Sequence, residues 1–397
     1  MEKFKFNIQL KQHTPMFQFQ HEQDGATLRG TEVKPKLDRF IIEKITGKKG
    51  KEAFKEMKEI HPAWLVGGAK GQHPALDYKL NITIVGKPDN YIVASSIPRH
   101  VREYYDNQTE QKYISNAPYF ADNELIKNKK LDDKSLGKAI ISDGVNLNFF
   151  SLHTDLNEQI KAALPIFFAL ENFGLRQSKG FGAFYPADAS IDDFENAISK
   201  ICPDGTLRFT VRHRNEDERI QNIFKKIDSE YKVLKGGFAK DPSQIMEYFE
   251  KEGVTWEKIA IKRELVKGRG IPRKEDYTAD DETVKYVRAL LGVAELYEFP
   301  RDNSTKIEIK NIKLDPKLKL DPDERIDRFR SPIIFKVFDD TIYITWREIP
   351  DELYNATFEF KNKSTRHSIY IKTPSASTPL NLKDFIFNHV ENTWNEL

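Results

Sequence analysis

Twice along this chain the apolar residues switch from a two-residue beat to a helical one, and that repeated switch restricts the fold more than any other feature. Phe4, Phe6, Ile8 and Leu10 alternate with polar neighbours, the pattern of a half-buried strand. From Thr31 onward, Val33, Leu37, Phe40, Ile41 and Ile45 fall at helical spacing, with Thr31 a candidate N-cap and Gly47 where a C-terminal stop belongs. Residues 76–85 alternate again, and 155–173 read as a helix that Pro165 should kink. Beyond Pro186 a linker or short helix leads to a new strand at Leu207, Phe209 and Val211. Helices are then expected at about 216–234, 241–251 and 280–292, strands at 306–312, 331–338, 341–347, 356–361 and 367–372, and a last helix at 381–394. Each half opens with a strand and a helix. The pattern implies two α+β units, 1–200 and 201–397, not one doubly wound parallel sheet.

A chain of 397 residues can bury two cores, and 39% hydrophobic with 31% charged residues describes a globular protein. The longest apolar run, residues 162–170, is too short to span a bilayer and contains Pro165, so no membrane partner is expected. The first residues read as a strand, not a signal peptide. The single cysteine, Cys202, allows neither an intrachain disulfide nor a cysteine metal site, and a cytoplasmic protein is expected. Net charge is only +2, from 63 basic and 61 acidic residues. That balance favours local basic patches over strong sequence-blind binding to nucleic acid.

Three segments carry chemistry. In the first, the helix ending Phe167-Phe168-Ala169-Leu170 runs into a bend with Gly174, Gly180 and Gly182 and the polar run Arg176, Gln177, Ser178 and Lys179. Glycines let backbone amides approach a phosphate, and Arg176 and Lys179 would add charge. Phe181, between two glycines, is placed either to stack on a base or to plug the turn. An ordinary glycine turn with solvated charges explains the same residues about as well. The second segment is the start of the first helix, where Arg29, Thr31, Lys34, Lys36 and Arg39 gather at an end whose amides and dipole favour anions. The third is the basic stretch from Lys258 to Lys274, with Lys267, Arg269 and Arg273, an arm for RNA phosphates or a loop touching a protein neighbour.

Together these segments resemble the RAMP superfamily of CRISPR proteins. The helix followed by Gly174-x-Arg176-x-x-x-Gly180-Phe181-Gly182 is similar to that superfamily's glycine-rich loop. Thr14-Pro15, then Leu28-Arg29-Gly30-Thr31-Glu32-Val33-Lys34-Pro35-Lys36-Leu37, resembles its first strand end and helix entry. Arg328-Phe329-Arg330-Ser331-Pro332-Ile333 is similar to a strand in the second domain of a Cmr-module subunit. The likeness is greatest to the first, two-domain subunit of that type III module. Departures are Pro35 where glycine is common, Asp38 where arginine is frequent, and Phe40-Ile41-Ile42 in place of a tryptophan-rich end. The resemblance implies two ferredoxin-like (RRM-like) domains in tandem, no metal, no cofactor and no small-molecule substrate. It also implies a non-catalytic subunit that binds guide RNA or target RNA beside other RAMP subunits in antiviral defence.

Catalytic patterns are thin. None of the nine histidines pairs at metal-binding spacing, and there is neither a nucleophile elbow nor a complete phosphate loop. The superfamily also includes metal-independent endoribonucleases that process guide RNA, and His13 with Tyr78 or Lys70 would be the corresponding acid–base set. Asp24, in the loop after the first strand, is the candidate for target cutting by position alone.

Overall fold

The computed structural model describes residues 2–17, 27–93, 112–114, 138–203, 205–237, 242–266, 282–294, 296–299, 305–312, 329–390 and 394–397. It forms two compact units, one of residues 1–228 with 335–345 and 393–397, the other of 229–334 and 346–392. The chain mixes helices with sheets whose strand pairs are mainly antiparallel.

The expected first strand is β1 (Lys5–Gln12). It leads to helix α1 (Gly30–Thr46), then α2 (Gly50–Ile60), strands β2 (Lys79–Val85) and β3 (Gly144–Phe150), helix α3 (Thr154–Leu170) and strand β4 (Phe184–Pro186). The sheet order is β2-β3-β1-β4, every pair antiparallel. Helix α4 (Ile191–Ile201) follows, its start fixed by a reciprocal capping box between Ser190 and Asp193. Further along come β5 (Leu207–Thr210), α5 (Glu216–Tyr231), β6 (Ile333–Phe338), β7 (Thr341–Trp346), α6 (Leu382–His389) and β8 (Asn395–Glu396), with strands of another sheet falling between α5 and β6 and between β7 and α6. The sheet of β5–β8 has the order β6-β7-β5-β8, which repeats that of the first. A smaller sheet joins Met16–Phe17, Lys138–Ile141, Asp89–Val93 and Lys112–Ile114.

The alternating apolar residues of β1–β3 meet the apolar stripes of α1 and α3 in one core that includes Leu10, Val33, Leu37, Ile41, Leu147 and Phe167. Gly47 ends α1 in the left-handed region, φ +67°, with its N–H on the Glu43 carbonyl. Two expectations are corrected. The first helix begins before Thr31, with Arg29 as its N-cap, so Pro35 lies inside it and leaves the Thr31 carbonyl without its i+4 donor. The helix expected at 280–292 is a two-residue strand, Val284–Lys285, followed by a 3-10 turn, Val287–Leu291.

The second unit holds a six-stranded sheet ordered Thr255–Trp256, Val284–Lys285, Ser368–Lys372, Thr357–Asn362, Thr305–Ile312 and Leu296–Phe299. Inside it, fully buried Glu257 accepts from Arg288 Nε at 2.5 Å. Removing one member of such a pair strands the other charge in a poor solvent for it. Arg288→Met is therefore expected to destabilise by roughly 3 kcal/mol, with much of the loss recovered when Glu257→Gln is added, as read from denaturant midpoints.

The first unit depends on glycines that admit backbone. A Cβ on Gly182 (φ +67°) would lie 2.0 Å from the Phe173 carbonyl oxygen, whereas one on Gly47, at the same φ, would meet nothing within 4 Å. Gly47→Ala is expected to cost about 1 kcal/mol and Gly182→Ala at least ~3, or to prevent folding, measured by chemical denaturation.

Candidate nucleic-acid interface

The glycine-rich bend after α3 is a latch in the core. Thr14 Oγ1 donates to the Gly180 carbonyl at 2.6 Å and accepts from the Ala183 N–H at 3.0 Å. The Gly182 N–H donates to the Pro15 carbonyl, the Leu175 N–H to Phe17, and the Phe335 N–H to Ser178. Asn172 Nδ2 reaches the Gln177 and Phe335 carbonyls, and buried Lys336 donates to Asn172 Oδ1 and the Glu171 carbonyl. Thus the Thr-Pro, glycine-loop and Ser-Pro-strand segments, distant in sequence, close on one another.

This closure corrects the reading of the loop as a phosphate cradle. Phe181 is 0% exposed and stacks on Phe224 at 4.1 Å, so its ring plugs the turn and presents no face to a base. Lys179 is buried, and Gly180 is packed so tightly that a Cβ would meet Ile227 at 2.7 Å. The Gly182 amide is spent on Pro15. Arg176, at φ +57°, Gln177 and Ser178 are half-buried. Gln177 is drawn inward, its Nε2 donating to the Gly174 carbonyl.

The start of α1 lies against this latch. Glu32 accepts from the Gly174 N–H at 2.7 Å, and Lys36 Nζ donates to Gln177 Oε1 and the Asn172 carbonyl at 3.1 and 3.2 Å. The two segments singled out in the sequence are therefore neighbours, joined by Lys36. Lys34 is also engaged: it donates to Asp38 Oδ2 at 2.7 Å and to the Leu76 carbonyl, over the Tyr78 ring. Burial pushes the Asp38 carboxyl up, with Lys34 opposing, and pushes the Tyr78 phenol up still further. Asp38 is thus what holds Lys34.

The open surface is the very start of the helix. Leu28, Arg29, Gly30, Thr31, Lys34 and Pro35 face Leu80, Asn81 and Ile82 of β2 across a groove of about 670 Å³. Gly30 is what brings the helix so near the strand, since a Cβ there would stand 3.2 Å from the Leu80 carbonyl oxygen. Arg29 caps the helix without a side-chain hydrogen bond to it. Thr31 and Arg39 are exposed. Arg29 and the first turn of α1 thus line one groove, a place suited to a phosphate. The β2 side of the groove gave no motif in the sequence; only strand pairing places it.

His13 is 1% exposed, against Phe338, with Asp339 at 3.0 Å from Nδ1 and Arg219 on its carbonyl. Burial pushes its imidazole below the ordinary value. Asp339 is held well below the usual carboxylate range by His13, then by Lys11. His13 is bonded to Asp339 and Arg219, while Tyr78 belongs to the Asp38–Lys34 cluster and Lys70 to an exposed turn. Lys267, Arg269, Arg273 and Asp24 lie outside the described residues. Among the described residues no group of three His, Cys, Asp or Glu side chains is placed to hold a metal ion, and no helix is long and apolar enough to cross a membrane.

Helices mixed with sheets of mainly antiparallel strand pairs, two of the sheets sharing one strand order, define an α+β protein. Models of the Cmr1 N-terminal domain and the Cmr1 C-terminal domain match residues 3–238 and 240–397. The crystal structure of Cmr1 from Pyrococcus furiosus (apo form) aligns over 99% of this chain and 98% of that one, at 12% identity and a TM-score of 0.42. No curated protein matches the chain. The chain belongs to the Cmr1 family, subunits of type III CRISPR effector complexes.

If Lys34 and Lys36 are structural and Thr31 and Arg39 are not, unfolding experiments will separate them. Lys34→Met is expected to cost on the order of 2 kcal/mol, because Asp38 stays buried, and Lys36→Met about 1. Thr31→Val and Arg39→Ala should stay within about 0.5 kcal/mol.

Proposed function

We propose that this chain is a non-catalytic subunit that holds guide or target RNA in a type III effector complex, its two repeats of β-α-β-β-α-β order being ferredoxin-like domains in tandem. The observation that carries the RNA reading is the groove at the start of α1. The first turn of a 17-residue helix lines it together with Arg29, and the start of a helix favours an anion such as a phosphate. Such contacts fix a sugar-phosphate chain in position without reading its bases. The sheet order β2-β3-β1-β4 and its repetition as β6-β7-β5-β8 support the tandem reading. Burial of His13, with its Nδ1 committed to Asp339, supports a holding role over a cutting one, because a general acid must reach the ribose it serves.

The test is retention of a labelled single-stranded RNA by the full chain across a salt series. Arg29→Ala with Arg39→Ala is expected to weaken binding roughly ten-fold and to flatten the log–log salt slope by about 1.4, each lost phosphate contact removing ~0.7. An unchanged slope would move RNA away from α1. With a repeat-containing RNA in EDTA the strand should remain whole; one discrete cut that disappears in His13→Ala would instead make the chain a metal-independent endoribonuclease.

A further inference from the structure

The face of the first sheet turned away from α1 and α3 is a second surface, and no sequence motif announces it. Register sets its side chains in rows across β1, β3 and β2. One row is Lys5, Phe150 and Lys79. The next is three asparagines side by side, Asn7, Asn148 and Asn81. Gln9, Asn146 and Thr83 make the third. Phe150 and Asn146 are half-buried and the other seven are exposed. No carboxylate occupies any of these nine positions, in a chain with 61 acidic residues. In the following row Lys11 is tied to Asp339 at 2.7 Å, so the open cationic end is the one at Lys5 and Lys79.

An open antiparallel face needs polar residues only to be wet, and charged side chains would serve as well as amides. What distinguishes this face is amides without acids, flanking one aromatic ring between two lysines. Each amide offers both donors and an acceptor, the pairing that matches a base edge. An aromatic ring on an open sheet is a platform for an unstacked base, and lysines beside it match the adjoining phosphates. Base edges are accessible in this way only on an unpaired strand.

We infer that this face contacts the bases of single-stranded RNA, two or three nucleotides long, with a base on Phe150, base edges on the Asn7–Asn148–Asn81 row, and phosphates on Lys5 and Lys79. The inference rests on the RNA reading above and extends it. Because β2 is the edge strand and Asn81 also lines the α1 groove, a strand held there passes around β2 onto this face.

The experiment uses the full chain, 5′-labelled homopolymeric RNAs, and the triple variant Asn7→Ala, Asn81→Ala, Asn148→Ala, whose changes are at exposed positions. The triple variant should bind about ten-fold more weakly to the preferred homopolymer, lose that preference and keep its salt slope. Lys5→Ala with Lys79→Ala should lower the slope by about 1.4, and ultraviolet crosslinking should map to the peptide holding Phe150. Wild-type affinity and preference in the triple variant, while Arg29→Ala with Arg39→Ala loses binding, would overturn this inference and leave the groove standing. Loss of a protein subunit with RNA binding intact would make the face a protein interface and equally overturn it. Failure of the wild-type chain to retain any RNA would overturn both readings.

Discussion

The hydroxyl of Thr14, accepting from Ala183 and donating to Gly180, is the contact on which the first unit turns. It lies in a bend so close that Gly182 sits against the Phe173 carbonyl with no room for a Cβ. Around it the Gly182 and Leu175 amides are spent on Pro15 and Phe17, and Asn172 and Lys336 bring β6 into the same network. A buried polar network is stable only when its members are paired, which is why residues far apart in sequence are specified together here. Glycine is required in this loop by backbone packing.

That packing also decides what is left for a ligand. With Phe181 against Phe224 and Lys179 buried, the loop's aromatic and one of its cations are withdrawn. Lys34 and Lys36 are committed to Asp38 and to the loop. The surface that stays open is the first turn of α1 facing β2, where Gly30 allows strand and helix to approach. A basic cluster in a sequence therefore divides, on folding, into residues that hold the site and residues that face outward.

The fold was legible to a large extent. The two-residue beat found β1, β2 and most later strands, and the helical spacing found α1, α3 and α5. Gly47 marked the end of α1 correctly because a left-handed cap has few alternatives. The start of α1 was read too late because the chain tolerates an interior proline there, and the apolar residues at 287–291 packed as a 3-10 turn in place of a helix. Local propensity is a weak guide where tertiary contacts set the backbone.

By itself the sequence determined the alternation of strands and helices, the absence of a cysteine framework, and the three motifs by which it resembles the RAMP superfamily, since each depends on residue type and short spacing. Only tertiary structure decided that Phe181 and Lys179 point inward, that Lys36 joins two distant segments, and that three asparagines from three strands stand in one row. Burial and strand register are properties of pairs of residues far apart in the chain, and no local pattern contains them.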